Sequence, residues 1–121
     1  MYKILAAFVA VMLMVGVAHA GVWKKGDTHG IRYACGEPEI LLTILKAAER
    51  RGRQFGVILL NAAFAEEICL RFSGPVAVKL VKPVGPVYTD DYGPSQIWEV
   101  RAGIIRGYTL VDPTQGPNKA T

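Results

Sequence analysis

The sequence predicts an α+β domain in which an N-terminal amphipathic helix, or two, packs on a small antiparallel sheet of four to five strands pinned by one disulfide. Three observations predict it. Apolar residues recur at helical spacing between Ile40 and Ala48, and from Ile68 onward they alternate with period two between Gly- and Pro-rich breaks. Two cysteines, Cys35 and Cys69, flank the helical region. Helical pattern first and strands afterwards is the order of an α+β chain, not of a repeating βαβ unit.

Residues 1–20 read as a cleavable secretory signal peptide. Lys3 gives a positive start, Ile4 to Val17 is an uncharged apolar run, and Ala18-His19-Ala20 is a small-x-small cleavage site. A spanning helix needs roughly 20 apolar residues, and this run is shorter. No cysteine follows the site, which disfavours a lipoprotein. The remaining chain suits one small domain over 21–113 and a flexible polar tail over 114–121.

The elements follow in order. Gly21 to Gly30 reads as a mobile lead-in, and Ile31 to Ala34 as a short strand or a simple tether for Cys35. Pro38 is preset for a first helical turn, and Glu37 and Glu39 face the positive end of the dipole. Ile40, Leu41, Ile44, Leu45 and Ala48 then draw one apolar stripe, with Thr43, Lys46, Glu49 and Arg50 opposite it. Arg50, Arg51 and Gly52 close that helix. Over 57–66 the residues favour a second short helix, although Val57-Ile58-Leu59-Leu60 also fits a buried strand. Strands are expected over 68–73, 76–81, 96–102 and 106–111. The expected turns are Gly74-Pro75, the loop Tyr88–Pro94 and Gly103. Short strands with such turns resemble an SH3-like barrel with a helical addition, by architecture alone.

In an oxidising compartment the cysteine pair reads as a disulfide. On the chain-entropy model, closing its loop contributes about 3–4 kcal/mol. Cys69 alternates with Ile68, Leu70 and Phe72, so the bond is expected on the outer face of the sheet, under the helix.

The full chain carries 14 Lys and Arg against 10 Asp and Glu, for a net charge of +4. Losing Lys3 with the leader leaves +3. That is too mild and too scattered for a nucleic-acid partner, but it suits an anionic envelope surface. After cleavage no stable membrane anchor is expected.

Catalytic patterns are absent from the sequence. One histidine, His29, remains after cleavage, short of a metal site, and no cofactor motif appears. Ser73 and Ser95 sit beside turn residues and outside any nucleophile elbow. Asp90-Asp91 and Glu66-Glu67 are chain neighbours, which rarely face each other across a cleft. Binding fits better. Tyr88 and Tyr92 flank Asp90 and Asp91 in the loop, and these four are the candidate partner-binding residues. Trp98 and Tyr108 share strand faces with Val100 and Leu110 and are expected in the core. Arg50, Arg51 and Arg53 are a candidate anion contact, although complementing a helix end is reason enough for them.

The expected function is therefore that of an exported, non-catalytic binding module of the periplasm or cell envelope. Its partner would be a protein or an envelope component. An inhibitor or immunity-like protein acting on an enzyme through residues 88–94 is the alternative. A small hydrolase using Asp90, Asp91 and His29 is the remote one.

Overall fold

A strand, not a helix, opens the domain. The structure is a computed structural model that describes residues 22–116. The signal peptide and the last five positions of the expected tail lie outside the described residues. Strand β1 (Thr28–Cys35) is followed by helices α1 (Pro38–Arg51) and α2 (Arg53–Ala65). Strands β2 (Cys69–Asp90), β3 (Gly93–Ala102) and β4 (Ile105–Val111) complete the order. Two helices thus pack on a four-stranded antiparallel sheet.

The lead-in expected to be mobile is tied down. Gly26 N–H donates to the Leu80 carbonyl at 2.7 Å, and Leu80 N–H donates to the Asp27 carbonyl at 2.9 Å. Trp23 packs against buried apolar side chains and lies edge-on to His29, with ring centroids 4.4 Å apart. These bonds satisfy backbone groups that would otherwise be stranded at the start of β1.

The strands pair in the order β1-β2-β3-β4, and Cys35 in β1 also pairs with Tyr108 in β4, which closes the order on itself. The break expected at Gly74-Pro75 does not form, and 22 residues run as one strand. Between the pairs Ile31↔Val76 and Tyr33↔Arg71, β1 advances two residues while β2 advances five. Gly74-Pro75 falls in that excess. A proline lacks an N–H for the ladder, and a bulge is where a strand tolerates it. Gly85-Pro86 does the same between Val84↔Ile97 and Tyr88↔Ser95. The turn residues therefore bend one long strand, so that it serves β1 with its first half and β3 with its second.

Helix α1 buries Leu41, Ile44, Leu45 and Ala48, the stripe read from the sequence. Gly52, at φ 99°, ends it with an N–H to the Ala48 carbonyl of 2.8 Å. Helix α2 begins at Arg53, four positions earlier than expected, directly after that break.

Apolar side chains form two clusters on opposite faces of the sheet. Cys35, Leu41, Ile44, Leu45, Ala63, Cys69 and Ile97 gather beneath the helices. Ile31, Val78, Leu80, Trp98, Val100 and Val111 gather on the other side. Adjacent Ile97 and Trp98 point into different clusters, as strand alternation requires. The Cys35–Cys69 disulfide joins directly opposed residues of β1 and β2, with Cα atoms 4.0 Å apart, and is buried under the helices. A disulfide belongs to an oxidising compartment.

Candidate functional site

The second helix begins without a side chain of its own to cap it. Its N-cap position is Gly52 and its first residue, Arg53, is basic, so the exposed N–H groups need an acceptor from elsewhere. Asp91 supplies it. Its Oδ1 accepts from Arg53 N–H at 2.7 Å, across 38 positions of sequence. The Arg53 guanidinium then reaches Asp90. Nε donates to Oδ2 and Nη2 to Oδ1 at 3.1 Å, while Nη2 also reaches Ser95 Oγ at 3.5 Å.

Asp90 is a hub. Its Oδ1 also accepts from the N–H groups of Tyr92 at 2.8 Å and Gly93 at 3.1 Å, which shapes the β2–β3 turn. A carboxylate offers about four acceptor sites, and Asp90 accepts four bonds, three at Oδ1 and one at Oδ2. Burial alone would raise its carboxyl group, but the bonds from Arg53 and from the turn outweigh burial and hold it below the usual carboxylate range. Bonding to Asp90 in turn pushes the Arg53 guanidinium up. One arginine and two aspartates thus fasten the hairpin tip to the start of α2.

Beside this joint lies a cleft of about 350 Å³, within the size range of small-ligand sites. Ile44, Leu45, Val57, Leu60 and Leu110 give it an apolar wall, and Tyr33, Arg53 and Ser95 bring polar groups to it. Gly56 makes α2 lie close on α1 at the cleft floor, since a Cβ there would stand 3.0 Å from Ala48 Cβ. The Tyr33 hydroxyl is pushed up to about 12 by burial, partly offset by bonding to Leu110 and Thr109 and by nearby Arg53. It stays protonated at neutral pH. Tyr92 stands at the mouth, 74% exposed, with Arg53 5.6 Å from its ring centroid.

Comparison with family models, curated proteins and solved structures finds no match to this chain. The geometry of the site therefore carries the functional argument.

The structure separates the sequence candidates. Asp90, Asp91, Tyr92 and Arg53 come together at the cleft mouth. Tyr88 is half-buried and lines a different hollow with Phe55, Arg50 and Arg51. Arg51 lies 4.3 Å from the Phe55 ring centroid. The three arginines therefore do not converge on one anion, because Arg53 is turned away and neutralised by Asp90. His29 pairs with Val78 in the middle of β2, while Asp90 and Asp91 are at that strand's far end. Among the described residues no group of three or more His, Cys, Asp or Glu is placed to hold a metal. None of their helices is long and apolar enough to cross a membrane.

Tyr33 and Gly56 escaped the sequence reading, and Ser95 was weighed there only as a nucleophile. The signal that could have found the joint was a helix start at Gly52-Arg53 with no local cap. Such a start calls for an acid from elsewhere, and the paired aspartates of a turn are natural donors of one.

Proposed function

We propose that the chain is an exported, non-catalytic binding module, with its leader removed after Ala20 and its closed strand order of SH3-like architecture. Its partner is a protein or an envelope component, met in the periplasm or outside the cell. The observation that carries the reading is the cleft with Tyr92 at its mouth, presented on a hairpin that Arg53, Asp90 and Asp91 hold rigid. The engagement of Asp90 supports binding over general-base chemistry, since its carboxylate is paired with Arg53 and held below the usual carboxylate range. The aromatic ring with a polar tip, largely solvent-exposed on a rigid support, is the kind of anchor that binding surfaces use.

The test is a crosslinking pull-down in the native host, with the full chain expressed from its own start. The expected result is a mature protein beginning at Gly21 and a partner that is lost with Tyr92→Ala while the fold is kept. A partner captured equally by the Tyr92→Ala protein would overturn the assignment of the surface.

The rigid hairpin also favours a second reading, an inhibitor or immunity-like protein that inserts residues 88–94 into an enzyme. Preorganised loops bind tightly because little entropy is left to lose. A stoichiometric complex with a soluble enzyme supports this reading, and association with envelope fractions supports the first.

A further inference from the structure

The end of the sheet remote from the cleft carries an apolar tip behind which cations stand in a row. Ala102 pairs with Ile105, so β3 and β4 are joined by the two-residue turn Gly103-Ile104, with Gly103 at φ 64°. Such turns are dominated by Gly, Asn, Asp and Ser. Here Ile104 is 98% exposed and Ile105 70% exposed. An apolar groove of about 200 Å³ continues from the tip between Phe72, Val76 and Ile105.

Behind the tip, Lys79 pairs with Arg101 and Arg101 with Arg106, on three successive strands. Directly opposed residues share a face, so these exposed side chains form one row. Like charges so placed repel, a cost to the isolated domain that an external anion would relieve. Lys24 and Lys25 join them, because the Gly26 bond to Leu80 sets their turn beside Lys79. Two acids lie nearby, and one of them offsets Arg106. Asp27 accepts from Lys24 N–H at 2.8 Å, and buried Glu99 pairs with Arg106 at 3.1 Å.

The chain also enters the domain here. Val22 is half exposed and Trp23 lies against His29, whose partner Val78 adjoins Lys79.

We propose that this end docks on an anionic lipid bilayer, with Ile104 and Ile105 entering the interface and Lys79 and Arg101 resting on headgroup phosphates. This end of the sheet lies at the opposite end of β3 and β4 from the cleft, and the proposal does not depend on the reading of that site. Apolar insertion combined with basic contacts gives reversible, salt-sensitive attachment.

The test is vesicle flotation of purified residues 21–121. One set of vesicles is phosphatidylcholine alone, and the other is equal parts phosphatidylcholine and phosphatidylglycerol. The protein is expected to float with the anionic vesicles only, and less as salt is raised. Ile104→Ser with Ile105→Ser is expected to weaken association about tenfold or more. Arg101→Gln is expected to weaken it about fivefold. All three positions are exposed, and an unchanged thermal midpoint shows that the fold is kept. Failure to float, equal flotation with both vesicles, or flotation indifferent to the isoleucine changes would overturn the proposal. Concentration-dependent dimers abolished by the isoleucine changes, without vesicle binding, would also overturn it and make this a contact between two copies of the chain.

Discussion

Asp90 shows how a residue that looks functional in sequence can be committed to structure. Paired with Asp91 between two tyrosines, it reads as the acid of a binding loop. Instead its carboxylate is spent on Arg53 and on the turn N–H groups, with only 4% of the side chain exposed. Removing its charge leaves Arg53 without its partner, and Asp90→Asn is expected to cost about 1–3 kcal/mol at neutral pH. The cost depends on pH with a definite sign. The carboxyl is held below its ordinary value in the folded protein, so its stabilisation is fully present above the unfolded value of about 4. It is lost as pH falls through the lower folded value. Thermal melts of wild type and Asp90→Asn at pH 7 and pH 3 check this. The gap between them should narrow on acidification, and a gap of the same width at both pH values contradicts the pairing. Tyr92, two residues on, keeps 74% of its surface exposed among the described residues, as its place in the loop suggested.

The helices and strands divide according to how local their signals are. Helix α1 was fully legible, because an apolar stripe, Pro38 at the start and Gly52 at the end act within a few residues of one another. Helix α2 was legible in kind but not in extent. Its first turn depends on Asp91, an acceptor that no local window contains. Strand β2 misled in the opposite way, because Gly74-Pro75 and Gly85-Pro86 carry turn chemistry and only the neighbouring strands decide that they become bulges. The α1–α2 contact has an invisible determinant as well. A methyl group at position 56 would meet Ala48 Cβ at 3.0 Å and the Ile44 carbonyl at 3.4 Å. Replacing a helical glycine with alanine ordinarily gains about 1 kcal/mol, whereas overpacking costs about 1–3 kcal/mol. The steric cost should win in Gly56→Ala. Adding Ala48→Gly moves the small residue to the other helix and should recover part of the loss. The coupling expected from a double-mutant cycle in urea is about 0.5–3 kcal/mol. Additive effects of the two changes would show that the helices do not depend on this close approach.

At the scale of the whole molecule, the cysteines were the most informative pair in the sequence, and their bond does more than close a loop. Cys35 pairs with Cys69 in β2 and with Tyr108 in β4, so the disulfide stands at the seam where the strand order closes. The pairing of β1 with β4 at that seam could not be read beforehand. Strand β1 carries Gly30 and Arg32 inside it and slips register between Ile31 and Tyr33, which hides its alternation and made the domain look helix-first. The bond spans 34 positions and encloses both helices. Chain entropy alone puts its contribution at about 3–4 kcal/mol, against the roughly 5–15 kcal/mol that a small domain has in total. Replacing both cysteines with alanine should lower unfolding stability by at least that amount, because the paired sulfurs also fill the cluster under the helices. Hydrogen exchange locates the effect. Protection should fall first along Tyr33–Cys35 and at Tyr108, where β1 meets β4, and last in β3, which is paired on both sides. Uniform loss of protection would mean that the closing pair has no stability of its own. Unchanged protection at Tyr108 would mean that the strand order closes without help from the bond.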